Sequence, residues 1–330
     1  MSLLRINSLG GGVGLHGSAQ SAPAALSRMA AAGVASGAVA GEAAHRPRPA
    51  PVIFMVHGYK FDPDAPRHCP HDHIFGTRTD HPCWKAQSWP RQLGALETGA
   101  APLCVAFGWS ARGRLRDVYG RAATAGRDLA EAVRIVRRAA PRRPVHIVTH
   151  SLGARVAFAA MEDLEAHDLT RVLALSAAEF TGAARRAAGT ACGRRAEILH
   201  ITSAENGVFD HLLRWGLPAP EPRDVPMGLG LREAAQLAPN MVHLCLGRAD
   251  VLAQLAQMGF AITAPQRRIC HWSIYLREGV WPLYRALIER PEALPIAVLR
   301  ALGSDGAPAS RSPMPAHGTA GTAGARRALA

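Results

Sequence analysis

The strongest constraint on this chain is a set of short, continuous apolar runs that alternate with amphipathic stretches. Val52-Ile53-Phe54-Met55-Val56 offers no polar residue to solvent, so it reads as a strand buried on both faces. Pro102 to Phe107 is a second such run and Pro144 to Val148 a third. Between them, Arg116 to Ala139 places Val118, Ala122, Ala125, Leu129, Val133 and Val136 on one helical stripe. Further along, a helix is expected from about Leu152 to His167, strands at Arg171 to Ser176 and Glu197 to Thr202, and a last helix from Trp281 to Glu289. Val242 to Leu246 reads either as another strand or as part of an inserted segment. Strands alternating with helices imply an α/β fold: a mostly parallel central sheet flanked by helices on both faces.

The chain has 330 residues, room for one large domain with tails or two small ones. Hydrophobic residues make up 48% and charged residues 19%, which excludes a wholly disordered chain. No uninterrupted apolar run reaches the roughly 18 residues a spanning helix needs. The cysteines (69, 83, 104, 192, 245, 270) form no CxxC pair. They therefore suggest neither a zinc ribbon nor a disulfide scaffold, and fit a reducing, cytoplasmic setting. The net charge of +13 comes almost wholly from Arg, with only Lys60 and Lys85 as lysines. The arginines are scattered in pairs such as Arg137-Arg138 and Arg267-Arg268, without interleaved aromatics, so no nucleic-acid partner is expected. Contact with a membrane surface has no supporting feature beyond the charge, and the oligomeric state is not legible.

The ends differ from the middle. Residues 1–49 are rich in Ala, Gly and Ser; Met1 to Ser8 could make a first strand, followed by a linker. Ala22 to Ala40 is a weak helix candidate interrupted by Gly33 and Gly37. With Arg5 alone and a Gly-rich continuation, a signal peptide is not expected. Residues 304–330 read as a disordered tail of Gly, Ala, Pro, Ser and Arg.

The chemistry is concentrated in Val145-His146-Ile147-Val148-Thr149-His150-Ser151-Leu152-Gly153-Ala154. A buried strand ends, a Ser occupies a tight turn, and an Ala-rich helix begins. A strand-to-helix elbow needs small neighbours because it holds its nucleophile under backbone strain. Gly153 meets that need, whereas Thr149 stands where the pattern usually has Gly. The helix aims free N–H groups and its positive dipole end at Ser151, as a developing oxyanion would require. A Ser that merely caps an ordinary helix would look similar. What raises this segment above that reading is His57-Gly58 at the end of an earlier strand, where a second oxyanion donor would lie. The two expected donors are the main-chain N–H groups of Tyr59 and Leu152.

On the residues Val52 to Tyr59, Ala106 to Trp109, Val145 to Ala154 and Cys270-His271-Trp272-Ser273, the chain resembles the α/β-hydrolase superfamily over roughly residues 50–290. The likeness is to bacterial, esterase- or lipase-like serine hydrolases. It implies the α/β-hydrolase fold over 50–303, a Ser–His–acid triad in that chain order, and no metal or cofactor. It further implies Ser151 as nucleophile and His271 as base, since the base comes late, shortly before the terminal helix. His200 and His243 lie inside strand-like runs, and His57 and His150 read as local hydrogen-bonding groups. For the acid, Glu205 follows the strand that usually carries it; Asp210 and Glu179 are the alternatives. The implied activity is cleavage of an ester or thioester of a small, acyl or lipid-like substrate. The departures at Thr149 and Glu205 keep a second possibility open, a hydrolase-like scaffold that binds without catalysis.

Two other features compete for function. His68-Cys69-Pro70-His71-Asp72-His73 is dense in metal-ligand types, and His71 with His73 could face one side of an extended segment to hold zinc. The long stretch from about 210 to 266, with Leu212, Leu213, Trp215, Leu217 and Met227, is expected to form a cap or lid over the site.

Overall fold

A computed structural model describes residues 2–35, 49–99, 101–230 and 238–303. The strands are β1 (Leu3–Ser8), β2 (Val13–Leu15), β3 (Val52–Val56), β4 (Leu103–Gly108), β5 (Val145–His150), β6 (Arg171–Leu175), β7 (Glu197–Thr202) and β8 (Met241–Cys245). The helices are α1 (Ala22–Ala35), α2 (Trp89–Gln92), α3 (Leu115–Ala139), α4 (Gly153–Glu162), α5 (Thr181–Gly189) and α6 (Gly207–Gly216). They continue as α7 (Met227–Gly230), α8 (Ala249–Gln257), α9 (Ser273–Leu276), α10 (Val280–Glu289) and α11 (Ile296–Gly303).

All eight strands join one sheet in the order β2-β1-β4-β3-β5-β6-β7-β8. Every neighbouring pair is parallel except the β1–β2 hairpin. The expected mostly parallel sheet flanked by helices is thus the fold of the described residues. The fully apolar strands explain themselves by alternation. Val52, Phe54 and Val56 enter a core shared with α1, α3 and α4, while Ile53 and Met55 enter a second core shared with α8, α10 and α11. Each such side chain, fully buried, contributes about 1.5–3 kcal/mol. The helix α3 carries Asp117 in its first turn and Arg137 and Arg138 in its last, matching the helix dipole at both ends. Its Gly126 lets α4 approach closely; a Cβ there would lie 2.5 Å from that of Ala159.

Several elements differ from the sequence reading. The first segment is more than a strand and linker, because β1 sits inside the sheet between β2 and β4. Buried Asp128 of α3 holds its hairpin by accepting from Ser8 Oγ (2.6 Å), Gly10 N (2.8 Å) and Gly12 N (2.9 Å). The helix expected to reach His167 stops at Glu162; Asp168 then accepts from Glu165 N at 2.9 Å in the following turn. The stretch expected as a cap is in large part main domain: β8 completes the sheet edge and α8 packs on the second core. Its apolar residues at 242, 244, 251 and 255 face the sheet interior, which is why the segment cannot stand over the site as one lid. Helix α6 presents large apolar groups outward, with Trp215 at 76% and Leu212 at 51% exposure. The expected tail at 304–330 lies outside the described residues. Among the described residues, no helix is long and apolar enough to cross a membrane.

The topology itself marks a site. From β3 the chain moves outward to β4, then returns to place β5 on the other side of β3. Such a reversal opens a crevice at the carboxyl ends of the two strands. Gly58 follows β3 there, and Ser151 follows β5.

Candidate active site

Ser151 joins β5 directly to the turn that starts α4, and its φ is +57°, the left-handed region that side chains other than Gly rarely occupy. The strain is held from three directions. Ser151 N donates to Leu175 O at 3.0 Å, while Ser151 O accepts from Ala154 N and Ala178 N, both at 3.0 Å. Two glycines make room for the bend. A Cβ on Gly58 would lie 2.7 Å from Ser151 Cβ and 2.8 Å from His150 O. A Cβ on Gly153 would lie 2.3 Å from Thr149 Oγ1 and 2.6 Å from His57 O. Thr149 is therefore accommodated where Gly is usual because its hydroxyl fills the space that Gly153 leaves open.

The two expected oxyanion donors flank this turn. Leu152 is the N-cap of α4, so its N–H precedes the helical ladder and has no intrahelical acceptor. Tyr59 follows the glycine packed on Ser151, and its hydroxyl is tied outward to Gly113 O at 2.6 Å. His57 locks the same loop: Nδ1 donates to Gly58 O at 2.9 Å, and Nε2 accepts from Trp109 N at 3.0 Å. Burial lowers its pKa to about 3. This is the local hydrogen-bonding role expected for it.

His271 reaches the elbow from the far end of the chain. Its carbonyl accepts from His150 Nε2 at 2.9 Å, and its ring lies 4.5 Å from that of His150, the neighbour of Ser151. Phe209 stacks on its other side, also at 4.5 Å. Burial, then the nearby His150 and Lys85, hold the imidazole well below its usual pKa. Burial likewise lowers His150 to about 4.

The partner of the imidazole differs from the expectation. His271 Nδ1 lies 2.6 Å from Asn206 Oδ1, and Asn206 Nδ2 donates to Asp210 Oδ1 at 3.0 Å. Glu205, expected as the acid, is turned away: Oε1 accepts from Arg267 N at 3.1 Å and Oε2 from Ser203 Oγ at 3.2 Å. The one-turn helix after β7 puts residues 205 and 206 on different sides, so the amide faces the imidazole and the carboxylate faces the 267–270 segment. Glu205 O also accepts from Cys270 N at 3.0 Å, so this residue anchors the loop that carries His271. Glu179 is committed to Tyr119 Oη, Arg155 Nη1 and Phe180 N, at 2.5, 2.9 and 2.7 Å. Of the three candidate acids, Asp210 alone connects to His271, and it does so through Asn206.

That chain of contacts fixes protons. An ionised carboxylate only accepts, so the Asn206 NH2 must face Asp210 and its oxygen must face His271. Nδ1 of His271 then carries the ring proton and Nε2 is left with a basic lone pair. Asn206 was not among the sequence candidates, although it stands next to Glu205. The available signal was chemical: an amide can orient a catalytic imidazole, as in Cys-His-Asn proteases. Gly228 is the hidden member of the arrangement; a Cβ there would lie 2.2 Å from Asp210 Oδ2.

A cavity of about 280 Å³ lies against the segment that carries His271, walled by Trp84, Glu205, Arg267, Cys270 and Arg277. At its rim Lys85 Nζ sits 3.5 Å above the Trp272 ring, and the Arg267 guanidinium 4.8 Å from Trp84. A larger cavity of about 520 Å³ lies at the opposite end of the sheet, near Pro51, Pro102, Pro144 and Arg143 where strands begin. It is far from the elbow, and its buried arginine is satisfied: Arg143 binds the carbonyls of Ala30, Ala50 and Pro51. His71 and His73 are engaged separately. His71 Nε2 donates to Asn7 Oδ1 at 2.7 Å, while the His73 ring lies 5.1 Å from Phe61 and 4.9 Å from His81.

Comparison with known proteins adds little beyond this geometry. Residues 115–183 match a family described as "Protein of unknown function (DUF726)". That span covers α3, the elbow and the start of α5. No curated protein matches. Among solved structures, one described as "Crystal Structure of TT1662 from Thermus thermophilus" is 13% identical, with a TM-score of 0.32. That match covers 60% of this chain and 80% of the other.

Proposed function

We propose that this protein is a serine hydrolase of the α/β-hydrolase type, cleaving an ester or thioester through Ser151 and His271. The observation that carries the reading is the strained Ser151, at φ +57°, at the sheet's switch point, next in the chain to His150, whose ring lies 4.5 Å from an imidazole held at Nδ1 by Asn206. In this mechanism His271 Nε2 takes the Ser151 proton as Oγ attacks the acyl carbon. The N–H groups of Leu152 and Tyr59 receive the oxyanion, each contributing on the order of 3 kcal/mol to the barrier reduction. His271 then passes its proton to the leaving alcohol or thiol, and activates the water that releases the acyl group. Asn206 keeps the imidazole in the working tautomer and Asp210 keeps Asn206 from turning over. The outward apolar residues of α6 and the Trp84–Trp272 rim favour an acyl or aromatic group over a highly charged one.

The same amide supports a second reading, a scaffold without catalysis, because among the described residues no carboxylate is bonded to His271 to stabilise its cation. The two readings separate in a screen of p-nitrophenyl esters of graded chain length. Hydrolysis that Ser151→Ala and His271→Ala each abolish supports the enzyme. Folded wild type that leaves the whole series uncleaved supports the scaffold.

A further inference from the structure

We propose that His16, Cys69 and Asp72 form a zinc(II) site that fastens the loop after β3 to the β1–β2 hairpin. One ring nitrogen, one sulfur and one carboxylate oxygen from these residues lie within 4.8 Å of one another. His16 Nε2 and Cys69 Sγ are 3.7 Å apart. A tetrahedral zinc with bonds of about 2.05 Å to nitrogen and 2.3 Å to sulfur sets those two ligands about 3.6 Å apart. The nitrogen and sulfur therefore already stand at the ligand spacing. Asp72 is exposed, so rotation of its side chain closes the remaining distance, and the exposed side leaves a fourth position for water.

The convergence is not a by-product of one turn. His16 closes the hairpin at the sheet edge, whereas Cys69 and Asp72 come from a loop more than fifty residues later. The remaining nitrogen of His16 has its support, since Nδ1 lies 3.3 Å from the Asn7 side-chain amide. With Nε2 on the metal, Nδ1 carries the proton and the Asn7 amide turns its oxygen toward it, as ligating histidines require. His71 Nε2 would then accept from Asn7 Nδ2, with that ring's proton moving to Nδ1. A mixed sulfur, nitrogen and carboxylate set selects zinc over magnesium or calcium. The ligand set also differs from the His71–His73 pair that the sequence suggested, and it stands independently of the proposed hydrolase.

The test uses the full chain, loaded with zinc, dialysed and analysed for metal, and separately titrated with cobalt(II) as a spectroscopic stand-in. One zinc per chain is expected, with a thiolate-to-cobalt charge-transfer band and the visible bands of tetrahedral cobalt. His16→Gln and Cys69→Ser should each weaken zinc binding by at least roughly tenfold, while His73→Gln should leave it unchanged. Cys69 is buried, so Asp72→Asn on the exposed rim serves as the variant that keeps the packing; it too must weaken binding. Zinc should raise the Tm of the wild type and not that of Cys69→Ser. Absence of stoichiometric zinc would overturn the proposal. So would a cobalt spectrum without a thiolate band, unchanged binding in His16→Gln and Asp72→Asn, or loss of binding in His73→Gln alone.

Discussion

Mild acid should strip this protein of stability while its carboxylates are still ionised. The cause is a set of histidines held neutral inside the fold. His57 is the clearest: its Nε2 accepts from Trp109 N and its Nδ1 donates to Gly58 O, an arrangement open only to the neutral ring. Protonation would face a second N–H against the Trp109 donor. Burial accordingly lowers His57 to about 3 and His150 to about 4, from 6.5 in the unfolded chain. The folded state thus binds fewer protons than the unfolded one below pH 6.5, so stability falls as pH falls through that value. At about pH 5 the unfolded state gains roughly 2 kcal/mol for each such histidine, from 1.36 kcal/mol per unit of pKa difference exploited. His57 and His150 together give about 4 kcal/mol, a large part of the 5–15 kcal/mol typical of a domain. His71, lowered to about 2 by burial and neighbouring His16 and His57, adds in the same direction. The assay is urea unfolding followed by circular dichroism between about pH 7.5 and pH 5 at constant ionic strength. The extrapolated stability should drop by several kcal/mol, and His57→Gln should flatten the slope by roughly one histidine's share. A loss under about 1 kcal/mol over that range would refute the reasoning, as would a slope unchanged in the variant.

Other expectations are as direct. Because His271 is held neutral well below its usual pKa, kcat/KM for an ester should stay flat as pH falls past 6.5. Asn206→Asp puts a carboxylate on Nδ1, stabilises the imidazolium, and should move the acid limb of that profile upward. Gly58→Ala, whose Cβ would meet Ser151 Cβ at 2.7 Å, should cut esterase activity by about a hundredfold or more by displacing the nucleophile. Urea unfolding should show a loss of about 1–3 kcal/mol for the same variant. Arg277 is buried with no partner for its guanidinium nitrogens among the described residues. Arg277→Met should therefore leave stability unchanged or raise it by about 1–4 kcal/mol, measured as Tm and urea midpoint.

The sheet was legible because its strands are apolar on both faces, a pattern that few other structures require. The strand-to-helix turn at Ser151 was legible for a related reason: an apolar run, a Ser and an Ala-rich amphipathic stretch in direct succession leave the bend little freedom of position. What escaped was set by contacts between distant segments. Nothing in Ala204-Glu205-Asn206-Gly207 says which of two adjacent side chains faces the imidazole; a single turn of 3-10 helix decides it. Of the two readings open for Val242 to Leu246, the strand holds, because β7 offers an edge with which Val242 and Leu244 pair. His16 could not be linked to Cys69 before the hairpin's place beside β4 was known.

The direct test of the account is covalent. The intact protein would be treated with a fluorophosphonate, digested, and mapped by mass spectrometry. The account predicts one adduct per chain on Ser151, absent in Ser151→Ala and slowed by orders of magnitude in His271→Ala. Folded wild type that stays unlabelled, or an adduct on another residue that persists in Ser151→Ala, would contradict it.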